Sequence, residues 1–376
     1  MKKVLFFLES LAGGGAEKVL IELVNNLDKE KFDITVLTVV DTGVYREDVI
    51  KKCKYLSILK NHNEYNRFFG KLLYKIKYKL IYKIPTSWVY KLYVKKKYDI
   101  EIGFVEGFST KFIAHSYNTK SKKIAWVHVD PINRDYADNY YRNNKTQVEC
   151  YKKYNSIVCV SNSVKQAFEQ KMYEHENIIV QYNPVDREMI INRSKEIIEQ
   201  KKPEKILIGT VGRLTNQKGY DRLLKVCKKL MDDGLEFELW IIGDGLEKNN
   251  IKQYITENNM GENIKMMGFQ KNPYNLMNMC DLFVCSSRAE GFSLAIAESL
   301  ILGIPIISTN CAGPNELLGH GKYGLIVENN ENSLYEGLKI LLTDEKMRND
   351  FKNKSMERQK IFEVKPVIKE IEQILM

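Results

Sequence analysis

The chain has 376 residues, 44% of them hydrophobic, and a net charge of +10. That length exceeds one ordinary core, and the apolar fraction excludes a disordered chain. The positive balance suits an anionic partner: a phosphorylated substrate, an acidic membrane surface or nucleic acid.

The opening run, Val4 to Leu8, ends at Glu9 and is too short for a secretory signal. No stretch reaches the ~18 apolar residues of a membrane span. "LAIAESLILGIPIIS" comes closest, and Glu298 interrupts it. Seven cysteines contain no C-x-x-C pair, which argues against a disulfide framework or zinc site and for a reducing cytoplasm.

"KKVLFFLESLAGGGAEKVLIELVNNL" reads as a strand, a glycine turn and an amphipathic helix, with apolar residues at Val19, Leu20, Leu23 and Leu27. Glycines 13 to 15 allow close ligand approach and positive φ, and the helix that follows can face an anion. The dinucleotide fingerprint fails, because Lys18 stands at its last glycine. Asp41 lies where a ribose-binding acid would. Apolar strands "FDITVLTVV", "YDIEIGFVE", "KKIAWVHV", "SIVCVS" and "IIVQYN" follow. Glu106, at a strand end, can take a proton from a hydroxyl or cap the next helix. His128 ends a strand in "AWVHVDP". His62, His115, His175 and His320 show no ligand spacing.

Residues 67–97 carry ten Lys/Arg, eight aromatics and no acid, and Pro85 splits them into two helices. Basic charge with Trp and Tyr suits an anionic bilayer. RNA is the rival partner, but no RNA-binding motif accompanies the charge.

Near Glu204 the strand-turn-helix pattern recurs in "EKILIGTVGRLTNQKGYDRLLKVCKKL", followed by strands "FELWIIG", "IKMMGF", "LFVCSS", "IPIIST" and "GLIV". Near-continuous apolar strands alternating with helices predict parallel sheets covered on both faces. The expected fold is α/β, with two doubly wound, Rossmann-like domains facing across a cleft. Residues 1–185 form the first, which the closing helix 364–376 can join; residues 186–363 form the second. In such sheets ligands bind beyond the carboxyl ends of the strands.

Arg213 lies just past a strand and Lys218 just before a helix, a pair that suits a diphosphate. In "EGFSLAIAE", Glu290 falls in a loop, Gly291 permits a turn and a helix starts near Ser293. The N–H groups of Phe292, Ser293 and Leu294 can take a phosphate, while Glu298, one turn deeper, can reach ribose hydroxyls. No D-x-D triplet occurs, so no metal and no other cofactor is expected.

With "GGGAEKVLIEL", "VGRLTNQKGYDRLL", "EGFSLAIAES" and "GIPIISTNCAGPNEL" in this order, nearly the whole chain resembles glycosyltransferase family 4, the group 1 retaining enzymes of GT-B fold. The resemblance implies a nucleotide-sugar donor, here expected to be a UDP-sugar. Arg213 and Lys218 would hold its diphosphate, Glu298 its ribose and Glu290 its sugar. Gly291, Phe292, Ser293 and Leu294 would add backbone contacts, and Gly14 and Gly15 would line the cleft opposite. His128 resembles the family's histidine near the donor sugar. The expected acceptor is a polyprenyl-diphosphate-linked saccharide, reached by peripheral association with the inner membrane face. An NAD-dependent oxidoreductase and a non-catalytic lipid- or RNA-binding protein are the alternatives from other classes.

Overall fold

The computed structural model of the protein describes residues 1–65, 68–132 and 137–376. The chain divides into two compact units: Met1–Pro184 with Lys365–Met376, and Val185–Val364.

The first unit is built on seven parallel strands: β1 (Lys2–Leu8), β2 (Phe32–Val40), β3 (Lys54–Leu59), β4 (Ile100–Gly103), β5 (Lys122–Val127), β6 (Ser156–Cys159) and β7 (Ile178–Val180). Their spatial order is β3-β2-β1-β4-β5-β6-β7. Strand β1 pairs with β2 on one side and β4 on the other, with Val4 opposite Ile34 and Ile100. Residues Val4 to Leu8 are all buried, as a strand covered on both faces requires. Strand β3 is absent from the sequence expectation. Only its Ile58 and Leu59 are buried, so this edge strand lacks the apolar continuity of the inner ones.

The helix Val364–Leu375 belongs to this unit. Ile368, Ile371 and Leu375 are buried. Its Glu372 accepts hydrogen bonds from the Asp28 N–H at 3.0 Å and the Lys31 ammonium at 2.8 Å.

The second unit has six parallel strands: β8 (Ile206–Val211), β9 (Phe237–Ile242), β10 (Ile264–Gly268), β11 (Leu282–Cys285), β12 (Ile306–Thr309) and β13 (Leu325–Val327). Their order is β10-β9-β8-β11-β12-β13. On one face, Leu223, Leu224, Cys227 and Leu230 of the helix Tyr220–Asp232 pack with Leu334 and Leu338. On the other, Ile296, Ala297 and Leu300 of the helix Leu294–Ile301 pack with Trp240 and Phe283. In each unit the strand order reverses once, between β1 and β4 and between β8 and β11. Such reversals open a crevice at the carboxyl ends of the strands.

Candidate active site

At the β8/β11 reversal two loops lock together. Gly219 ends the first, with φ of +67°. A Cβ there would lie 2.2 Å from the Ser286 carbonyl oxygen, so only glycine lets the two backbones meet. Ser286 Oγ donates to the Lys218 carbonyl at 2.9 Å, and Gln217 Nε2 to that of Ala289 at 2.7 Å. The packing brings Lys218 Nζ to 2.5 Å from Glu290 Oε1, which also accepts the Ser287 hydroxyl at 2.6 Å. Burial alone would press the Lys218 ammonium down, but the Glu290 charge outweighs it and holds the pKa above the ordinary lysine value.

Glu290 is thus only 7% exposed, and Lys218 is paired with it. Its aliphatic stem lies over Gly212, while the neighbouring Arg213 is exposed and makes no ion pair among the described residues.

Ser293 precedes the helix Leu294–Ile301 as its N-cap, yet its hydroxyl makes no capping bond. That oxygen is buried without a partner. The first N–H groups of any helix also lack intrahelical acceptors. Glu298 is buried in the second turn of this helix, ~6 Å further along its axis than Leu294. Gly291 takes no positive φ, so the turn there is one that other residues could form.

Arg222 escaped the sequence reading. Its buried guanidinium donates to the Ser286 carbonyl at 2.8 and 2.5 Å and to the Ser287 carbonyl at 2.6 Å. It thereby fixes the chain that leads from β11 to Glu290. An arginine inside an amphipathic helix reads as a solvent-facing residue, and its acceptors lie more than 60 positions away.

In the first unit, Gly14 is the N-cap of the helix Gly15–Asn26, and of glycines 13 to 15 only Gly13 has positive φ. Asp41, placed by the sequence where a ribose-binding acid would lie, is paired with Arg46 through both its carboxylate oxygens. Glu106 directly precedes Gly107, the N-cap of the helix Phe108–Ala114. Its Oε1 accepts the N–H groups of His128 at 2.5 Å and Val129 at 2.8 Å. The carboxylate therefore holds the turn that carries His128. The His128 ring stands edge-on to Phe104 at 5.1 Å, with Nε2 buried and unpartnered. Burial pushes its pKa down to about 3, against a smaller hydrogen-bond effect of the Phe104 backbone.

The anticipated residues thus form two groups. Arg213, Lys218, Glu290, Gly291 to Leu294 and Glu298 surround the β8/β11 reversal. Gly14, Gly15, Glu106 and His128 lie along the carboxyl edge of the first sheet. Among the described residues no cluster of three His, Cys, Asp or Glu side chains is placed to hold a metal.

Two family models cover the chain: glycosyltransferase family 4 over residues 13–189 and glycosyl transferases group 1 over residues 192–358. A Campylobacter jejuni protein is 37% identical over 184 residues, 48% of this chain and 49% of that one. It is named N-acetylgalactosamine-N,N'-diacetylbacillosaminyl-diphospho-undecaprenol 4-alpha-N-acetylgalactosaminyltransferase. The match thus spans about half the length of that relative. An uncharacterized glycosyltransferase of Methanocaldococcus jannaschii is 30% identical over 302 residues, 69% of this chain and 72% of that one. The crystal structure of Anabaena HepE in complex with UDP and glucose matches 100% of this chain and 99% of its own, with a TM-score of 0.76 at 20% identity. That likeness is one of fold. From the family models and the Methanocaldococcus match, the chain belongs to the group 1, family 4 glycosyltransferases.

Proposed function

We propose that this enzyme transfers a sugar from a nucleotide-sugar, specifically a UDP-sugar, to a hydroxyl of a lipid-linked or growing surface polysaccharide, with retention of configuration. One observation carries the reading: the Lys218–Glu290 pair sits beside an uncapped helix start with an orphaned Ser293 hydroxyl, at a strand-order reversal. Cation, amide donors and hydroxyl together suit a pyrophosphate.

In this reading Arg213 and Lys218 bind the diphosphate and stabilise the charge that develops on the leaving UDP. The backbone of Gly291 to Leu294 adds hydrogen bonds to phosphate, and Glu298 takes the ribose hydroxyls. Glu290, held rigid by Lys218 and Ser287, accepts hydroxyls of the donor sugar, and Gly14 and Gly15 let the chain approach it. His128 stays neutral and presents Nε2 to the sugar, with Glu106 positioning it. The leaving phosphate helps to take the acceptor's proton, and neither a metal nor another cofactor is required. The acceptor follows the name of the Campylobacter relative, which acts on a diphospho-undecaprenol-linked saccharide, and the nucleotide follows the UDP bound to HepE.

Peripheral attachment to an anionic membrane from the cytoplasmic side completes the reading. No helix among the described residues is long and apolar enough to cross a membrane. The helix Phe68–Lys83 instead exposes Leu72, Leu73, Ile76 and Leu80 along one side, and the helix Thr86–Tyr93 exposes Trp88 at 65% and Leu92 at 55%. Lysines 75, 77, 79, 83 and 91 accompany them, the arrangement of a helix lying on an anionic bilayer. Arg67, part of the same stretch, lies outside the described residues.

The test is thermal unfolding with UDP or NAD, followed by a panel of nucleotide-sugars scored for slow hydrolysis. Stabilisation by UDP and cleavage of a UDP-sugar are expected. Stabilisation by NAD alone, or by neither, would remove the donor assignment.

A further inference from the structure

The carboxyl edge of the first sheet holds a second group of side chains, to which the reading above gives no role. Glu9 follows β1 directly, beside the reversal between β1 and β4. Tyr82, on the helix Phe68–Lys83, donates its hydroxyl to Glu9 Oε1 at 2.6 Å. Tyr140, at the end of the 3-10 turn Asp138–Tyr140, donates to both carboxylate oxygens at 3.1 Å. Three segments distant in sequence thus converge on one carboxylate. Glu9 is nonetheless partly exposed, and among the described residues it makes no ion pair although the helix that carries Tyr82 is rich in lysine. A carboxylate offers about four acceptor positions, and the single shared donor at Oε2 leaves capacity there. Burial raises its pKa, with the hydrogen bonds from Tyr82 and Tyr140 opposing.

Tyr74, Tyr78 and Tyr82 extend this group along one face of the helix, at four-residue spacing. Their ring centroids are 6.1 and 5.1 Å apart, and Tyr82 lies 5.9 Å from Tyr140. Tyr78 is 39% exposed. At ~100° per residue the tyrosine row lies on the side opposite to Leu72, Ile76 and Leu80. One face of the helix is therefore aliphatic and the other carries the aromatic rings with their hydroxyl rims, flanked by Lys71 and Lys75, and the two suit different partners.

An acceptor carboxylate without a counter-cation disfavours phosphate and nucleic acid. Beside ring faces that carry hydroxyls, it favours a neutral, polyhydroxylated molecule. Sugars present apolar C–H faces to aromatic rings and hydroxyl donors to a carboxylate. We infer that Glu9, Tyr78, Tyr82 and Tyr140 form a saccharide subsite for the glycan portion of the acceptor. Glu9 receives one of its hydroxyls and Tyr78 stacks on a ring. The inference rests on the glycosyltransferase reading and adds the residues that bind its acceptor.

The test uses the full-length chain, labelled and applied to an array of bacterial surface oligosaccharides, with UDP-induced thermal stabilisation measured on the same samples. Wild type should retain at least one saccharide. Glu9→Gln, which keeps the shape and can still accept from the tyrosines, should weaken retention at least ~10-fold, as expected for loss of a charged hydrogen-bond acceptor. Tyr78→Ala, at an exposed position, should do the same, and both variants should keep the wild-type shift with UDP. Unchanged retention in both variants, or a wild type that retains no saccharide, overturns the subsite. So does a Tyr78→Ala chain that loses phosphatidylglycerol vesicles but keeps its saccharides, because the row would then face lipid. Loss of the UDP shift in wild type overturns the donor reading separately, since it does not depend on Glu9 or Tyr78.

Discussion

The Lys218–Glu290 pair can be made to separate a structural role from a chemical one. Glu290 is 7% exposed and its Oε1 is held by the Lys218 ammonium at 2.5 Å and the Ser287 hydroxyl at 2.6 Å. Lys218→Met removes the cation and strands a buried carboxylate with one neutral donor, which should cost about 3–5 kcal/mol. Glu290→Gln keeps an acceptor for Ser287 but leaves a partly buried ammonium unpaired, costing about 1–3 kcal/mol. The double variant has no unpaired charge, so its loss should fall short of the sum by about 2 kcal/mol. Hydrogen exchange of residues 282–301 reads the local stability of all four proteins. Turnover should behave differently. Lys218→Met should lower it at least ~100-fold, and the double variant should not recover, because the leaving group has lost its cation. Stability losses that add to within about 0.5 kcal/mol would refute the coupling. Full activity in Lys218→Met would refute the diphosphate assignment.

Arg213→Ala should raise the KM for the nucleotide-sugar at least ~10-fold and leave the melting temperature unchanged, since the exposed side chain makes no ion pair among the described residues; an unchanged KM would place the diphosphate elsewhere. His128 has a folded pKa of about 3 against 6.5 for the free side chain. The unfolded chain therefore binds the proton first, and the stabilising contribution is complete above 6.5 and lost as pH falls from 6.5 towards 3. Between pH 7 and pH 5 the wild type should lose about 2 kcal/mol more than His128→Asn, measured by urea unfolding; parallel curves would contradict this. Gly219→Ala, which forces a Cβ against the Ser286 carbonyl at positive φ, should destabilise the second unit by more than about 1 kcal/mol. Ile76→Asp should reduce sedimentation with phosphatidylglycerol vesicles and leave donor hydrolysis intact, and vesicle binding equal to wild type would remove the bilayer from that face.

The α/β class was legible because the inner strands are unbroken apolar runs, such as Val4 to Leu8, and because glycine turns follow β1 and β8. Edge strand β3 was not, since four of its six residues alternate between exposed and half-buried. The site was legible as a set of motifs but not as a set of bonds. Nothing in the spacing of Asp41 and Arg46 says that they pair, or that Lys218 and Glu290, 72 positions apart, neutralise one another. Arg222 and Glu9 stayed hidden for the same reason. An ionisable residue beside an apolar run has no signature until the segments that satisfy it are placed around it.

The helix Val364–Leu375 supplies part of the first unit although the whole second unit precedes it in the chain. During synthesis the second unit can therefore close while the first still lacks this helix, and Asp28, Lys2 and Lys122 wait with it for acceptors that leave the ribosome after the whole second unit. The two units are therefore completed in the reverse of their order in the chain, and a stop codon before Val364 would spoil the unit that begins first rather than the one that begins second.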